Sequence, residues 1–234
     1  MVKEEKQLQI ISPARMVQCA IFDWDGVVVH SSALHRRSWE ILAQELKQPL
    51  PSGHFERGFG KRNETIIPEI LGWTQSSNLI ATWGKRKEHI YRELAIKEGI
   101  ALAEGTKGFL QCLSERKIPC VIGTSTEREN VELAITQHDL GKYFCGAVCS
   151  EDVTEGKPNP EVFLKAAHLL KIPPPHCLVL EDSPYGIVAA QRGGMKSLAL
   201  TTSHSEEAFK DIQPDLLFPS LAKIDLVQVE SIFQ

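Results

Sequence analysis

Long hydrophobic runs are missing from this chain of 234 residues, and none approaches the roughly 20 apolar residues that a membrane span requires. The opening stretch, MVKEEKQLQIISPAR, is polar and lacks the apolar segment of a signal peptide. We therefore expect residues 1–16 to form an N-terminal tail, and we expect a cytoplasmic protein without a membrane partner.

A surplus of positive charge is also missing. The chain has 26 Lys and Arg residues against 30 Asp and Glu residues, which gives a formal net charge of −4 at pH 7. Binding to a nucleic-acid backbone usually requires a basic surplus or a basic stripe. The composition therefore predicts no nucleic-acid partner.

Cysteine is scarce, with six residues in the whole chain. The stretch CGAVCS at 145–150 has a C-x3-C spacing, but a second cysteine pair and a nearby His-x-His are lacking. Four of the cysteines begin or lie in apolar runs, where reduced thiols pack as small hydrophobic groups. We therefore expect no zinc site.

Five short apolar runs and a weaker sixth are present. They are continuous rather than alternating, which is typical of strands that are buried on both faces. From residue 105 onward they alternate with helical stretches, which predicts an α/β fold, a Rossmann-like parallel sheet with helices on both faces. The predicted strands are CAIF (19–22), PCVIGT (119–124), CGAVCS (145–150), CLVLE (177–181), KSLAL (196–200) and DLLF (215–218).

Residues 34–103 follow a different pattern, because helical periodicity dominates there and no strand is predicted. We expect this region to be a helical domain inserted into a Rossmann-like core. The core would consist of residues 17–33 and 104–234, on either side of the insertion.

Polar side chains follow four of the predicted strands. In open α/β sheets, ligands bind outside the carboxyl ends of the strands, so we expect these side chains to gather at one edge. The nearby pair Thr126 and Glu129 fits a capping box, and we interpret Thr126 as a helix cap. The gathered residues are Asp23, Asp25, Thr124, Ser125, Lys157, Glu181 and Asp182.

Such a set of side chains suits phosphoryl transfer. An aspartate is ionised at neutral pH and can act as a nucleophile, but a phosphate group repels it. Unit charges about 4 Å apart interact by about 4 kcal/mol at an effective dielectric constant of about 20. Mg²⁺, which prefers oxygen ligands, would remove this repulsion, and Lys157 would add a fixed positive charge.

The order of these residues resembles the four motifs of the haloacid dehalogenase-like superfamily. The similar branch has a small helical cap and includes beta-phosphoglucomutase and related sugar-phosphate phosphatases. DWDGVVVHSS is similar to motif one, D-x-D-G-x-x-x-D-S, except that His30 stands where an acid is usual. Thr124 corresponds to the motif-two hydroxyl, Lys157 in GKPNPEVF to motif three, and LVLEDSPYGI to the acidic motif four. The resemblance covers residues 17–220, and we expect the His30 change to affect the hinge or the helix start.

The resemblance implies a role for each of these positions. Asp23 would be the nucleophile that forms an aspartyl-phosphate, and Asp25 would be the general acid and then the base. Mg²⁺ would be held by Asp23, Asp182 and the main-chain carbonyl of Asp25, with Glu181 as a further candidate. The implied phosphate-binding residues are Thr124, Ser125 and Lys157.

The inserted helical region resembles the cap that covers the substrate in that branch. Lys87 falls on the apolar stripe of its helix, so both a snorkelling lysine and a substrate contact remain open. His35 lies at the start of another amphipathic stripe, where it either packs or lines the substrate cleft. The substrate-binding candidates are His35, Lys61, Arg62 and Lys87.

Our leading hypothesis is a monomeric Mg²⁺-dependent phosphatase that hydrolyses a small phosphorylated metabolite, with a sugar phosphate as the expected class. A phosphosugar mutase similar to beta-phosphoglucomutase is the first alternative, because it requires the same four motifs. A non-catalytic phosphate-binding regulatory protein is the second, but the intact acids and Lys157 argue against it.

Overall fold

A six-stranded sheet forms the centre of the structure, which is a computed structural model that describes residues 17–233. The predicted tail at residues 1–16 lies outside the described residues. The strands are β1 (Cys19–Phe22), β2 (Val29–His30), β3 (Ala101–Leu102), β4 (Cys120–Gly123), β5 (Phe144–Val148), β6 (Cys177–Glu181), β7 (Lys196–Leu200) and β8 (Leu216–Phe218).

The order of strands in this sheet is β5-β4-β1-β6-β7-β8, and every neighbouring pair is parallel. Each strand coincides with one of the apolar runs, so the predicted Rossmann-like α/β class is confirmed. In β1, Ile21 joins the hydrophobic cluster on one face of the sheet and Phe22 joins the cluster on the other. Burial on both faces explains why these runs are continuous rather than alternating.

Helices cover both faces of the sheet. Phe109 of α5 (Thr106–Glu115) and Val131 of α6 (Arg128–His138) pack in the cluster that contains Phe22. On the other face, Phe163 of α7 (Glu161–Leu170) and Ala189 of α8 (Pro184–Arg192) pack with Ile21. Within residues 17–233, no helix combines the length and the apolarity that a bilayer crossing requires. The helices are α1 (Ser32–Leu46), α2 (His54–Gly58), α3 (Asn63–Thr65), α4 (Ser77–Glu98), α5 (Thr106–Glu115), α6 (Arg128–His138), α7 (Glu161–Leu170), α8 (Pro184–Arg192) and α9 (Leu226–Ser231).

The chain between β2 and β3 is helical. Its two long helices, α1 and α4, pack against each other, and a short π-helical segment (Ile66–Leu71) follows α3. β2 and β3 form a separate antiparallel pair, with Val29 opposite Leu102. The expectation that residues 34–103 contain no strand is therefore wrong at Ala101–Leu102, because a two-residue strand is too short to leave an apolar pattern.

Candidate active site

Lys157 lies between two buried carboxylates at the carboxyl edge of the sheet. Its Nζ is 2.7 Å from Oδ1 of Asp23, directly after β1, and 2.6 Å from Oε1 of Glu181, the last residue of β6. Burial raises the pKa of Asp23 to about 7, although Lys157 acts in the opposite direction. Burial would lower the pKa of Lys157, but the two carboxylates raise it. The structure thus brings these three predicted residues together, with Lys157 charged.

Asp23, Glu181 and Asp182 form a cluster in which one oxygen from each residue lies within 4.8 Å of the others. Burial, followed by the charges of Glu181 and Asp23, raises the pKa of Asp182. The Oδ2 atom of Asp182 is buried and has no hydrogen-bond partner among residues 17–233. An unpartnered buried carboxylate oxygen beside two further acids fits a hard divalent cation, which prefers oxygen ligands.

Glu181 is more constrained than the other two acids. One of its oxygens accepts from Lys157, and the other accepts from the main-chain N–H of Ser183 at 2.6 Å. A Cβ atom at Gly186 would lie 1.8 Å from Oε1 of Glu181, so only glycine leaves room for this carboxylate. Both oxygens of Glu181 are therefore already used, whereas Asp182 has an oxygen available.

Gly26 is required for the same close packing on the other side of the cluster. It has a φ of +80°, and a Cβ atom there would lie 1.7 Å from Oδ2 of Asp182. The glycine therefore allows both the turn after Asp25 and the approach of Asp182.

The carboxylate of Asp25 is held apart from this cluster by a separate set of donors. The hydroxyls of Ser31 and Thr126 each donate to one of its oxygens, and Nε2 of His35 lies 3.3 Å from Oδ1. Burial would raise the pKa of Asp25, but His35 and the two hydroxyls lower it to about 2. Asp25 is consequently ionised at neutral pH. Its predicted metal contact through the main-chain carbonyl stays a prediction.

Thr126 does not have the capping role that the sequence indicates. α6 begins at Arg128, and its flanking residue Glu127 makes no side-chain capping bond; the carboxylate of Glu151 accepts the N–H of Arg128 at 3.1 Å instead. The expectation that Thr126 caps a helix is wrong because its hydroxyl donates to Asp25, which follows the neighbouring strand β1. The Thr-x-x-Glu pattern does not distinguish these two roles. The contact of Ser31 with Asp25 was also not predicted, although Ser31 lies within the motif-one stretch.

Thr124 and Ser125 lie beside Thr126, as their positions after β4 require. Thr124 is buried, and its Oγ1 accepts a hydrogen bond from the N–H of Thr126 at 3.2 Å. Ser125 faces a cleft between the inserted helices and the sheet edge. His30, the departure from motif one, is exposed on β2.

That cleft, which we name the Asp25 cleft, has a volume of about 700 Å³ including its mouth. All four substrate-binding candidates of the inserted region line it, as do Asn63, Glu64, Glu88 and Glu127. The aromatic side chains of Trp39, Phe55 and Phe59 form part of its wall.

His35 connects Asp25 to Lys87 of α4. Nζ of Lys87 lies 2.7 Å from Nδ1 of His35 and 2.8 Å from Oε1 of Glu88. The amine of Lys87 donates to Nδ1, and Nε2 of His35 is then the ring nitrogen that donates to Asp25. Tyr91 stacks on the His35 ring with centroids 4.1 Å apart. Lys87 is only 3% exposed, so the snorkelling interpretation is wrong.

Glu88 joins the inserted helices to the core. Its carboxylate accepts from Asn63 at 2.8 Å and from Asn130 of α6 at 2.7 Å. Burial would raise the pKa of Glu88, but Lys87 and His35 lower it to about 2. A continuous line of polar contacts therefore runs from α6 through α4 to Asp25. Nothing in the sequence pattern singles out Glu88 or Asn130.

The other two candidates, Lys61 and Arg62, have different surroundings. NH1 of Arg62 lies 3.4 Å and 3.2 Å from the carbonyl oxygens of Val153 and Thr154, and its Nε lies 3.4 Å from the carboxylate of Glu64. Nζ of Lys61 lies 4.3 Å from the centre of the Tyr185 ring. Arg62 therefore connects the inserted region to the loop that precedes Lys157 through these hydrogen bonds.

Comparison with known proteins gives a family for most of the chain. A model of the haloacid dehalogenase-like hydrolases matches residues 17–194. The chain is 38% identical over 188 residues to 5-amino-6-(5-phospho-D-ribitylamino)uracil phosphatase, chloroplastic, of Arabidopsis thaliana. This match covers 79% of the chain and 50% of the relative, so the chain spans about half the length of that protein.

A second relative is matched over nearly its whole length. Validoxylamine A 7'-phosphate phosphatase of Streptomyces hygroscopicus subsp. limoneus is 27% identical over 212 residues, which is 89% of the chain and 96% of the relative. Among solved structures, beta-phosphoglucomutase of Clostridium difficile superposes with a TM-score of 0.82 at 20% identity, over 93% of the chain and 97% of the neighbour. This likeness concerns the fold.

Proposed function

The chain belongs to the haloacid dehalogenase-like hydrolase family, and we propose that it is a Mg²⁺-dependent phosphatase that hydrolyses a small phosphorylated metabolite through an aspartyl-phosphate on Asp23. A sugar phosphate is the expected class of substrate. The observation that carries this proposal is the separation of two neighbouring aspartates: Asp23 lies against Lys157 and the acidic cluster, whereas Asp25 is held by Ser31, Thr126 and His35.

Asp23 would act as the nucleophile. A bond forms between its carboxylate oxygen and phosphorus while the bond from phosphorus to the leaving oxygen breaks. Lys157, 2.7 Å from Asp23, lies where it can also donate to the phosphoryl oxygens, and Thr124 and Ser125 lie at the next strand end. The hydrolytic step then transfers the phosphoryl group from Asp23 to water.

Asp25 would move the protons in both steps. It gives a proton to the leaving oxygen when the ester bond breaks, and it takes one from water when the aspartyl-phosphate is hydrolysed. Its pKa of about 2 leaves Asp25 ionised before substrate binds, which is the form that the second step needs. An anionic phosphate beside it disfavours that charge, so Asp25 takes up a proton from solvent as the substrate binds, gives it to the leaving oxygen, and is ionised again for the second step.

Asp23 and Asp182 would hold Mg²⁺, with Glu181 next to them. The cation, when bound there, would neutralise the repulsion between the nucleophile and the phosphate. The buried, unpartnered oxygen of Asp182 supports this assignment.

We further propose that residues 34–103 act as a cap over a core made of residues 17–33 and 104–234. The direct contacts of His35 with Asp25 and with Lys87 support this division, because they connect the inserted helices to the reacting groups. Lys61 and Arg62, which also line the Asp25 cleft, are proposed to face the substrate. The location in the cytoplasm and the monomeric state stay predictions, and the Arabidopsis relative is named as chloroplastic.

Both relatives are named as phosphatases of compounds with one phosphate. A mutase must in addition hold a bisphosphate, which requires a second cationic site. Arg62 and Lys87, two of the three cationic side chains in the Asp25 cleft, are already bound to protein oxygens or nitrogens. We therefore favour hydrolysis over transfer.

The test is to incubate the protein with beta-glucose 1-phosphate, Mg²⁺ and a trace of the glucose bisphosphate, and to measure both products. A set of other phosphorylated metabolites is assayed for phosphate release in parallel. We expect net release of inorganic phosphate. Rapid formation of glucose 6-phosphate with little free phosphate would favour the mutase, and no reaction with any phosphorylated metabolite would contradict an enzyme of either kind.

A further inference from the structure

The charged side chains of the Asp25 cleft disfavour the binding of a second anionic group. Of its three cationic side chains, Lys87 forms a buried ion pair with Glu88, and Arg62 lies 3.4 Å from the carboxylate of Glu64. Lys61 packs over the Tyr185 ring and is the one that lacks an acidic partner among residues 17–233. The cleft therefore offers little uncompensated positive charge beyond the phosphate site at Lys157.

Glu127 adds an acidic side chain to the same wall. It lines the cleft, and one oxygen lies 3.2 Å from NH1 of Arg92. Burial is the main cause that raises the pKa of Glu127 to about 7; Glu88 and Glu151 act in the same direction, and Arg92 acts in the opposite one. The surroundings of this carboxylate are already unfavourable to negative charge, so a further anion would be strongly disfavoured there.

The remaining wall is aromatic. Trp39 and Phe55 are buried, and Phe59 packs on Phe55 with ring centroids 5.2 Å apart. Phe59 also meets the edge of the His35 ring, whose Nε2 contacts Asp25. Aromatic side chains in a concave site favour an apolar or planar group on the ligand, and a few polar groups then fix its orientation.

We propose that the Asp25 cleft accepts phosphomonoesters whose leaving group carries an uncharged ring and no second anionic group. Glu127 is the specificity-determining residue that excludes the second anionic group. This inference rests on the proposed phosphatase function. The aromatic wall receives the ring, and the Glu127 carboxylate accepts a hydrogen bond from an N–H or O–H of the leaving group while it repels a phosphate or a carboxylate.

The test uses three alkyl phosphates with Mg²⁺: ethyl phosphate, benzyl phosphate and 4-carboxybenzyl phosphate. Ethyl phosphate and benzyl phosphate differ in the ring. Benzyl phosphate and 4-carboxybenzyl phosphate differ in one negative charge on the same ring. We expect kcat/KM for benzyl phosphate to exceed the values for the other two by about tenfold, since a single charge repulsion or a modest apolar contact is worth about 1.4 kcal/mol.

Glu127→Gln should reduce the ratio between benzyl phosphate and 4-carboxybenzyl phosphate at least threefold, because the amide keeps the shape without the charge. Glu129→Gln is the matched control: Glu129 also pairs with Arg92, at 3.0 Å, but its side chain is 71% exposed and does not line the cleft. The control should leave the ratio unchanged.

The outcomes separate the two proposals. Phosphate release from benzyl phosphate without discrimination against the carboxylate, or with discrimination that Glu127→Gln leaves intact, would overturn the role of Glu127. Equal rates with ethyl and benzyl phosphate would overturn the ring preference. No phosphate release from any of the three esters or from the metabolite set would contradict the phosphatase function itself.

Discussion

The ammonium nitrogen of Lys157 lies 2.7 Å from a carboxylate oxygen of Asp23, and both side chains are almost fully buried. The same nitrogen contacts Glu181, so a single cation compensates two acids in the interior. Lys157 therefore stabilises the fold and also takes part in the proposed chemistry.

Replacing Lys157 by alanine should reduce both activity and stability. We expect kcat/KM to fall at least about 100-fold through lost transition-state stabilisation. The free energy of unfolding should fall by about 3 kcal/mol, because two buried carboxylates lose their partner. Urea unfolding and phosphate-release kinetics measure the two effects.

Lys165→Ala is the control variant. It removes an ion pair with Glu161 at the surface and should change the free energy of unfolding by less than about 1 kcal/mol. An unchanged stability of Lys157→Ala would contradict this role.

Asp182→Asn should separate metal binding from folding. Without metal, the variant should be at least as stable as the natural protein, because it removes an acid whose ionised form is disfavoured by burial and by the charges of Glu181 and Asp23. Saturating Mg²⁺ should raise the Tm of the natural protein, since a ligand that binds only the folded state stabilises it. The variant should not respond.

Thermal unfolding in chelator and in Mg²⁺ measures this difference without any assay of activity. Asp139→Asn, a change of an exposed acid that directly follows the C-terminal end of α6, is the control and should respond to Mg²⁺ as the natural protein does. An equal Tm increase in Asp182→Asn would show that the acidic cluster is not the metal site.

Asp25→Asn should slow the reaction in a way that depends on the leaving group. An amide cannot protonate the leaving oxygen, and a poor leaving group such as an alkoxide needs that proton more than p-nitrophenolate does. We expect the loss in kcat/KM to be at least about tenfold larger for ethyl phosphate than for p-nitrophenyl phosphate under single-turnover conditions. Equal losses would argue against Asp25 as the acid.

Thr126→Val tests the contact between Thr126 and Asp25. Loss of one donor to a charged acceptor is worth about 1.5 to 3 kcal/mol, so kcat should fall about tenfold or more, whereas Thr126→Ser should keep most of the activity. A helix-capping role makes a different prediction, because the valine variant would then lose stability and keep its kcat. Unfolding and kinetics of the two variants distinguish these outcomes.

The sequence predicted the sheet well because its strands are buried on both faces, and such burial produces apolar runs that are easy to recognise. It also predicted that Asp23, Lys157 and Asp182 meet, because parallel strands place their carboxyl ends at one edge. Both results follow from patterns that are local in the chain. The pair β2 and β3 was missed because two residues carry no such pattern.

The surroundings of Asp25 could not be predicted in the same way. The Thr126 hydroxyl satisfies a local helix-capping pattern, yet it donates to an acid about a hundred residues away. Glu88 and Asn130 meet only because α4 packs on α6, and Glu127 enters the Asp25 cleft through the same packing. Contacts between distant segments that carry no motif require the three-dimensional structure.

Trapping the covalent intermediate tests the proposed aspartyl-phosphate mechanism. The protein is mixed with Mg²⁺ and a radiolabelled phosphomonoester that it hydrolyses, quenched within one turnover, and digested. We expect label on the peptide that contains Asp23, approaching one phosphate per chain in the pre-steady state, followed by its release as inorganic phosphate, and no label in Asp23→Asn. Label on another peptide, or phosphate release by Asp23→Asn at the natural rate, would contradict Asp23 as the nucleophile.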